Sequence, residues 1–327
     1  MPIGLERERA ACGGGTAPAP RRAAARPLTR TSTVAKELVH RAAVAEVLLT
    51  DWQRVDDTHF TVAAQWPRSH SFFTPIDGEY HDPLMAAETI RQVGSLLAHA
   101  EFGVPFDHHF LLWDLALTVR PDQLRIRQTP ASLHLEITCT EVKRRGGVLT
   151  GLRYEARVLR EGHEVATGGL SYTCAGPAVY RRVRPDRALS GEVRALPLTA
   201  PAAPQSVGRT SPVDVVLSPD GRPGRWRLRV DTRHPVLFDH PVDHVPGMVL
   251  LEAARQAAAA ALGRSTFLPL SFDNRFTRYA ELDVPCVIEA HRLYPATPGA
   301  AAAVEVTGHQ DGALVFSSTV TAAAGGE

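Results

Sequence analysis

Residues 248–262 read MVLLEAARQAAAAAL, and this stretch decides the fold. It contains no glycine or proline, and every position is apolar except Glu252, Arg255 and Gln256. The pattern predicts an α-helix that is buried on nearly all sides, because a helix so poor in polar residues cannot face water. At 100° per residue the three polar residues share one face of the helix. Other elements must therefore surround this helix.

The same polar residues occur 164 positions earlier in the chain. At this offset four polar identities are found, which are His70 with His234, Glu88 with Glu252, Arg91 with Arg255, and Gln92 with Gln256. Several other positions between His70 and Gln92 match as apolar with apolar, for example Leu84 with Met248, as a shared core requires. Residues 84–100 predict a second helix of about four turns. The chain is therefore a duplication.

Both copies predict the same order of elements. Strands are expected at 44–49, 60–66, 110–119, 132–141, 150–160 and 164–173, and again at 213–217, 226–230, 268–275, 285–294, 302–309 and 314–322. Antiparallel strands that curl about one long helix form the hot-dog arrangement, so we predict an α+β protein with two tandem hot-dog domains. The expected parts are a disordered tail at 1–32, domain 1 at 33–176, a linker at 177–210 and domain 2 at 211–327.

The overall composition excludes several classes of protein. With 327 residues, 44% hydrophobic and 22% charged, the chain is that of a globular protein with more than one core. No apolar stretch is long enough to span a membrane, and the charged start does not resemble a secretory signal, so we expect a cytoplasmic protein. A net charge of +1 gives no field to attract nucleic acid. The four cysteines lack metal-ligand spacing, and we expect buried thiols, with no metal and no cofactor.

The buried polar residues themselves suggest chemistry. Burial of a carboxylate and a guanidinium is costly unless the two groups pair or serve a function. One interpretation is a structural ion pair between Glu252 and Arg255 at i,i+3 spacing. The recurrence in both copies favours a site instead, as does Gly247 directly before the second helix. A glycine there lets a ligand approach free backbone N–H groups, which can hold the carbonyl oxygen of a thioester.

Three stretches carry a family resemblance: EVLLTDW at 46–52, QWPRSHSFF at 65–73 and ETIRQ at 88–92. They resemble the A-factor biosynthesis (AfsA-like) family of actinomycetes, over about residues 33–325. The resemblance implies a tandem hot-dog acyltransferase of γ-butyrolactone signal biosynthesis, which moves a β-ketoacyl group from acyl carrier protein or CoA to a hydroxyl of dihydroxyacetone phosphate. It places the family's active-site residues at Glu88, Glu252 and Arg255.

These residues lead to a mechanistic hypothesis. Glu88 or Glu252 would act as general base with a pKa raised by burial, and Arg255 would bind the phosphate or the oxyanion. The preferred combination is Glu88 with Arg255 across the seam between the halves. Further substrate-binding residues are expected at Arg91, Gln92, Gln256, Gly247, His70 and His234. For the two histidines, a hydrogen-bonding role in the loop is the favoured alternative.

Other functions stay open at this point. Residues 243–252, DHVPGMVLLE, are similar to β-hydroxyacyl carrier-protein dehydratases, but the position of their histidine is Phe238 here and Thr74 in the first copy. Loss of that general base disfavours a dehydratase. A non-catalytic regulator that binds an acyl thioester or a lactone would keep the pocket without turnover. The basic runs at 143–145 and 181–184 would suit an acidic carrier protein, although a solvated surface is the favoured interpretation. A monomeric pseudo-dimer and a homodimer are both open.

Overall fold

The computed structural model describes residues 27–28, 30–185, 195–294 and 301–323. Most of the expected tail at 1–32 lies outside the described residues, as do Cys12 and positions 186–194 of the expected linker. The other three cysteines, Cys139, Cys174 and Cys286, are free and buried. In the described part of the chain, no helix is both long and apolar enough to cross a bilayer.

Within the described ranges, each half contains six strands and one long helix. The first half comprises β1 (Leu49–Arg54), β2 (His59–Trp66), α1 (Pro83–Ala100), β3 (His109–Val119), β4 (Ala131–Arg145), β5 (Val148–Arg160) and β6 (His163–Ala175). A short helix, α2 (Pro177–Val183), follows it. The second half comprises β7 (Leu217–Pro219), β8 (Arg225–Leu228), α3 (Gly247–Leu262), β9 (Pro269–Phe276), β10 (Cys286–Leu293), β11 (Ala302–Gln310) and β12 (Ala313–Ala322).

All twelve strands form one continuous antiparallel sheet. Its order is β1-β2-β4-β5-β6-β3-β9-β12-β11-β10-β8-β7, so the two halves meet where β3 pairs with β9. Reading outward from that seam, the strands of the two halves follow the same sequence. At the seam the Asn274 side-chain amide donates to the Leu115 carbonyl at 2.9 Å. The prediction of a tandem hot-dog α+β fold is confirmed.

The two long helices are enclosed by the sheet, but they begin differently. In α1 every side chain is buried except Arg91, which is partly buried, and the terminal Ala100. Asp82 caps this helix by accepting from the Leu84 N–H at 2.9 Å, and Pro83 occupies its first position. Helix α3 begins after Pro246 without a side-chain cap. The start of α3 therefore has backbone donors that the start of α1 lacks.

The duplication also continues upstream of the helices, with a different offset. The 3₁₀ turn at Lys36–Val39 corresponds to the one at Pro204–Val207, which is 168 positions later. Likewise the Val34 N–H donates to Leu49 O at 3.0 Å, and the Ala202 N–H donates to Leu217 O at 2.8 Å. The offset falls to 164 beyond the β7–β8 hairpin, which is four residues shorter than β1–β2. We therefore propose that the second domain begins near residue 202, within the segment 177–210 that the sequence assigned to a linker.

Two short segments differ from the predicted strands for the same reason. Residues 44–49 and 213–217 were expected to be extended, but the structure has 3₁₀ turns at Val44–Glu46 and Pro212–Asp214 before the strands begin. Apolar β-branched residues in these segments resemble a strand in sequence. In the fold they instead turn the chain. The buried Glu46 side chain thereby lies near His70, and the buried Asp214 side chain lies near His234.

Candidate active site

Glu88 on α1 lies between two guanidinium groups. Arg91 Nε and Nη2 donate to its two carboxylate oxygens at 2.8 and 2.7 Å. Arg41 Nη2 lies 2.7 Å from Oε1. The Gln92 side-chain amide donates to the same oxygen at 2.8 Å. We call these four residues the first cluster.

Glu252 on α3 has the equivalent surroundings. Arg255 Nε and Nη2 donate to its oxygens at 2.9 and 2.7 Å. Arg209 Nε and Nη2 donate at 2.9 and 2.7 Å, and Gln256 donates to Oε1. We call these four residues the second cluster. The polar stripe that the sequence predicted is therefore a carboxylate enclosed by donors in both halves.

Neither glutamate has the pKa that the sequence hypothesis required. Burial raises the pKa of Glu88, but the charges of Arg41 and Arg91, with hydrogen bonds from Arg91 and Gln92, outweigh burial, so the pKa falls to about 2. The same balance lowers the pKa of Glu252 to about 2. The expectation of a raised pKa is wrong, because it did not include the second arginine that lies beside each carboxylate.

That second arginine is Arg41 in the first half and Arg209 in the second, and neither was singled out from the sequence. A signal was present: Val39-His40-Arg41 and Val207-Gly208-Arg209 are equivalent at the offset of 168. A comparison at the single offset of 164 misses this match. Arg41 and Arg209 are therefore equivalent in the repeat, at an offset four positions larger than that of the helices.

Both of these arginines also reach into the opposite half. Arg41 Nη1 donates to Val236 O at 3.2 Å and lies 3.4 Å from the Asp239 carboxylate. Arg209 Nη1 donates to Phe72 O at 2.7 Å. The residues at 236 and 72 are equivalent at the offset of 164. Each cluster thus holds the loop that precedes the other half's helix.

The predicted combination of Glu88 with Arg255 is not formed. Among the described residues no hydrogen bond or ion pair joins these two side chains. Arg255 instead pairs with Glu252 on its own helix, and its Nη1 donates to Gly208 O at 3.3 Å. Within the two clusters, the hydrogen bonds to the opposite half are made by Arg41 and Arg209.

A cavity of about 950 Å³ lies beside the first cluster. Arg41 and Arg91 line it, and no residue of the second cluster does. The Arg91 side chain is 23% exposed, whereas that of Arg255 is 2% exposed. Arg91 Nη1 has no hydrogen-bond partner within the described ranges, so its N–H groups are free to bind a ligand. The two halves are therefore equivalent in fold but not in access.

The start of α3 opens into the same cavity. Gly247 and Met248 line it, and their backbone N–H groups donate to no group in the described part of the protein. An ideal Cβ at Gly247 would lie 3.2 Å from Leu112 Cδ2, so the wall packs closely against this glycine. Free N–H groups at a helix start stabilise negative charge on a bound oxygen. The cavity thus joins an oxyanion-binding position to a free guanidinium edge.

The two predicted loop histidines have the same role in each half. His70 Nδ1 accepts from the N–H groups of Phe72 and Phe73 at 3.1 and 3.2 Å, and Nε2 lies 3.4 Å from Glu46. His234 repeats this arrangement, with Asp214 3.2 Å from Nε2. Neither histidine lines the cavity. These contacts shape the loops that precede the helices.

The two predicted glutamines also act within the fold. Gln92 accepts from the Leu48 N–H at 2.9 Å and donates to Glu46 O at 2.7 Å, which ties α1 to the first strand. Gln256 accepts from the Val216 N–H at 3.0 Å in the second half. Of the residues expected to bind substrate, Arg91 and Gly247 line the cavity.

A sequence model described as the A-factor biosynthesis hotdog domain matches residues 23–176 and 192–324. The chain belongs to this family. The resemblance inferred from residues 46–52, 65–73 and 88–92 is therefore confirmed.

Curated relatives in the A-factor biosynthesis family have a named activity. A protein of Streptomyces virginiae is 56% identical over 290 residues, which cover 89% of this chain and 97% of the relative. A protein of Streptomyces coelicolor is 44% identical over 284 residues, covering 87% and 90%. Both are named 2-oxo-3-(phosphooxy)propyl 3-oxoalkanoate synthase. The expected enzyme class, an acyltransferase of γ-butyrolactone biosynthesis, agrees with that name.

Solved structures agree on the fold. A crystal structure described as an oleoyl thioesterase of Lactobacillus plantarum superimposes with a TM-score of 0.51 at 10% identity, covering 84% of this chain and 99% of that one. At this identity the likeness concerns the fold alone.

Proposed function

We propose that this protein transfers a β-ketoacyl group from a thioester, on acyl carrier protein or CoA, to a hydroxyl of dihydroxyacetone phosphate. The relatives' name describes a product of this kind, a 3-oxoalkanoyl ester of a phosphooxypropyl group. The observation that carries the proposal is the single cavity in which the bare start of α3 meets the free edge of Arg91. One end suits a thioester carbonyl and the other suits a phosphate. We place the reaction in the cytoplasm, where such thioesters are held.

The acceptor's phosphate would bind to Arg91. Its Nε and Nη2 are held by Glu88, which fixes the plane of the guanidinium and leaves Nη1 without a partner among the described residues. Arg41 and Arg91 face the carboxylates of Glu88 and Asp239, so the formal charges balance. Recognition of a phosphate dianion then rests on directed N–H groups more than on net charge. In this proposal Glu88 positions Arg91 and takes no proton.

The donor's acyl chain would lie along the apolar walls. Phe73, Leu112, Leu170 and Leu250 line the cavity beside the start of α3. A volume of about 950 Å³ lies at the upper end of the range of ligand sites, and it accommodates a medium-length chain together with a three-carbon phosphate. With the carbonyl oxygen on the N–H groups of Gly247 and Met248, charge that develops during transfer is stabilised where it forms.

The second cluster would have a structural role. From the sequence, Glu252 and Arg255 were expected to be catalytic residues, and the family resemblance implied the same role. Both lie outside the cavity, with all of the carboxylate's surroundings filled by protein donors. We propose that the cavity beside the first cluster is the active site and that the second cluster is a buried ion-pair network that stabilises the fold.

The test exploits the difference between the two helix starts. Position 247 is equivalent to Pro83 of α1, so Gly247→Pro gives α3 the proline that α1 has at its first position. Proline fits the first position of a helix and removes its N–H. We expect kcat to fall by about 10²–10³-fold while the fold is kept. Ester formation from a 3-oxoalkanoyl-pantetheine thioester and dihydroxyacetone phosphate is measured by mass spectrometry.

The matched control is Gly247→Ala. It adds a Cβ at the same place, 3.2 Å from Leu112 Cδ2, but keeps the N–H. Equal rates for the proline and alanine variants would rule out Gly247 as an oxyanion donor. Wild-type protein that binds both substrates and forms no ester would instead identify a binding regulator.

A further inference from the structure

His40 is an unusual residue at the edge of the cavity. It directly precedes Arg41 and lines the cavity, with its ring packed against Phe110 at a centroid distance of 4.9 Å. Its backbone is left-handed, with φ of 53°. The equivalent residue in the second half is Gly208, with φ of 68°. The first copy keeps a histidine in a strained backbone conformation at a position where the second copy has glycine. This difference indicates that the imidazole ring has a function.

His99 of α1 determines which nitrogen of His40 carries a proton. His99 Nδ1 lies 2.6 Å from Val104 O, and since a carbonyl only accepts, Nδ1 must carry the hydrogen. Burial lowers the pKa of His99, and burial together with nearby Arg91 lowers that of His40 to about 3, so both rings are neutral near pH 7. His99 Nε2 is therefore an acceptor, and His40 Nε2 donates to it across 2.7 Å.

This arrangement leaves His40 Nδ1 with a free electron pair. Within the residues that the structure describes, Nδ1 has no hydrogen-bond partner. The pair of histidines also occurs in only one copy, because His99 is equivalent to Gly263 and His40 to Gly208. The copy with the histidine pair is the copy whose arginines line the cavity. A fixed tautomer, an unpaired ring nitrogen and access to the ligand space thus coincide. A phosphate dianion bound to Arg91 offsets the charge that, together with burial, lowers the pKa of His40, so the ring becomes a stronger base when the acceptor is bound.

We propose that His40 is the general base of the acyl transfer, with His99 as the positioning residue that fixes its tautomer. The inference rests on the proposed function, since it assigns a residue to that reaction. It also fills a gap, because Glu88 is fully engaged by Arg41, Arg91 and Gln92 and cannot receive a proton without breaking those contacts.

The step balances as follows. The acceptor hydroxyl oxygen forms a bond to the thioester carbon, its proton passes to His40 Nδ1, and the carbonyl π pair moves to oxygen. The oxyanion then re-forms the carbonyl, the C–S bond breaks with its pair on sulfur, and the thiolate takes the proton from Nδ1. One thioester and one alcohol become one ester and one thiol, and His40 returns to its neutral form.

His240 is the competing base. Its Nδ1 pairs with Asp239, which leaves Nε2 unprotonated in the neutral ring, and its side chain is 41% exposed. Asp239 also accepts from the Ala42 N–H at 2.8 Å and pairs with Arg41. This arrangement suits a role in holding Arg41 and the loop, and the experiment separates it from catalysis.

The central variant is His40→Gly, which installs the residue that the second copy uses at this position. Glycine adopts the left-handed backbone without strain, so folding is kept. We expect kcat to fall by about 10²–10⁴-fold with KM for dihydroxyacetone phosphate changed little. Added imidazole should restore turnover in this variant by occupying the space of the lost ring. His40→Asn, which also tolerates this backbone, replaces it if the glycine variant is unstable.

Two further variants complete the test. His99→Phe keeps an aromatic ring against Phe106 and Phe110 but removes the acceptor, and we expect kcat to fall by about tenfold while KM is unchanged. His240→Gln provides the comparison. Turnover of His40→Gly within about threefold of wild type, or imidazole rescue of His240→Gln instead, overturns the role of His40. Wild-type protein that forms no ester overturns the proposed function itself.

Discussion

Replacement of Glu252 by glutamine removes the negative charge between two buried guanidinium groups. Arg209 and Arg255 each have side chains 2% exposed, and Glu252 accepts from both of them and from Gln256. Asp82 lies 3.9 Å from Arg209 Nη1, but burial raises its pKa, which weakens it as a replacement counter-charge. Removal of one partner of a buried ion pair costs about 3–5 kcal/mol. We expect a loss of stability of that size for Glu252→Gln.

This loss is large enough to measure directly. For a chain of this length, about 2 °C of melting temperature is lost per kcal/mol, so Tm should fall by about 6–10 °C. The urea midpoint should fall with it. At 20 °C the variant remains folded, and because the second cluster lies outside the cavity, kcat should stay within about threefold of wild type.

Glu88→Gln is the matched variant and should behave in the opposite way. Arg41 keeps Asp239 at 3.4 Å, and Arg91 reaches water, so the loss of stability should be about 1–3 kcal/mol. Turnover should fall by about 10²-fold, since Arg91 loses the carboxylate that directs it. The reasoning fails if Glu252→Gln melts with wild type, or if it loses more turnover than Glu88→Gln.

Three further predictions follow from the same geometry. Arg91→Lys should raise KM for dihydroxyacetone phosphate by at least about tenfold in steady-state kinetics, since an ammonium cannot bind Glu88 and a phosphate along two edges. The pKa values of Glu88 and Glu252 are lowered to about 2, so their contribution to stability is present above pH 4.5 and is lost as pH falls towards 2. Urea midpoints that stay constant over this pH range would contradict this prediction. Gly94→Ala places a Cβ 2.9 Å from the Tyr154 hydroxyl and should cost about 1–3 kcal/mol in urea unfolding, whereas unchanged stability would mean that the tyrosine moves freely.

The sequence predicted the architecture because the fold depends on local patterns. Alternating apolar residues set the strands, and the run at 248–262 is too apolar to lie anywhere but inside the sheet. The unequal helix starts were also visible, as Pro83 in one copy and Gly247 in the other. These features need no knowledge of distant contacts.

The charge environment was not predictable in the same way. Whether a buried carboxylate has a raised or lowered pKa depends on what lies beside it in space, and Arg41 is 47 positions from Glu88 along the chain. The neighbours that hold His40 in one tautomer are equally remote in sequence. Whether a ligand can reach a cluster also depends on packing, since the first cluster borders a cavity and the second does not. Only the match of residues 39–41 with 207–209, at the offset of 168, indicated the two arginines that were missed, Arg41 and Arg209.

The reciprocal reach of Arg41 and Arg209 bears on how such a gene can change. A tandem duplication ordinarily leaves one copy free to decay or to be deleted. Here each copy supplies the guanidinium that fastens the other copy's loop, at Val236 O and at Phe72 O. Loss of the second copy would release the loop at Phe72 and would remove the start of α3 from the cavity. Selection on the product therefore preserves both domains, including the buried ion-pair cluster that lies outside the cavity.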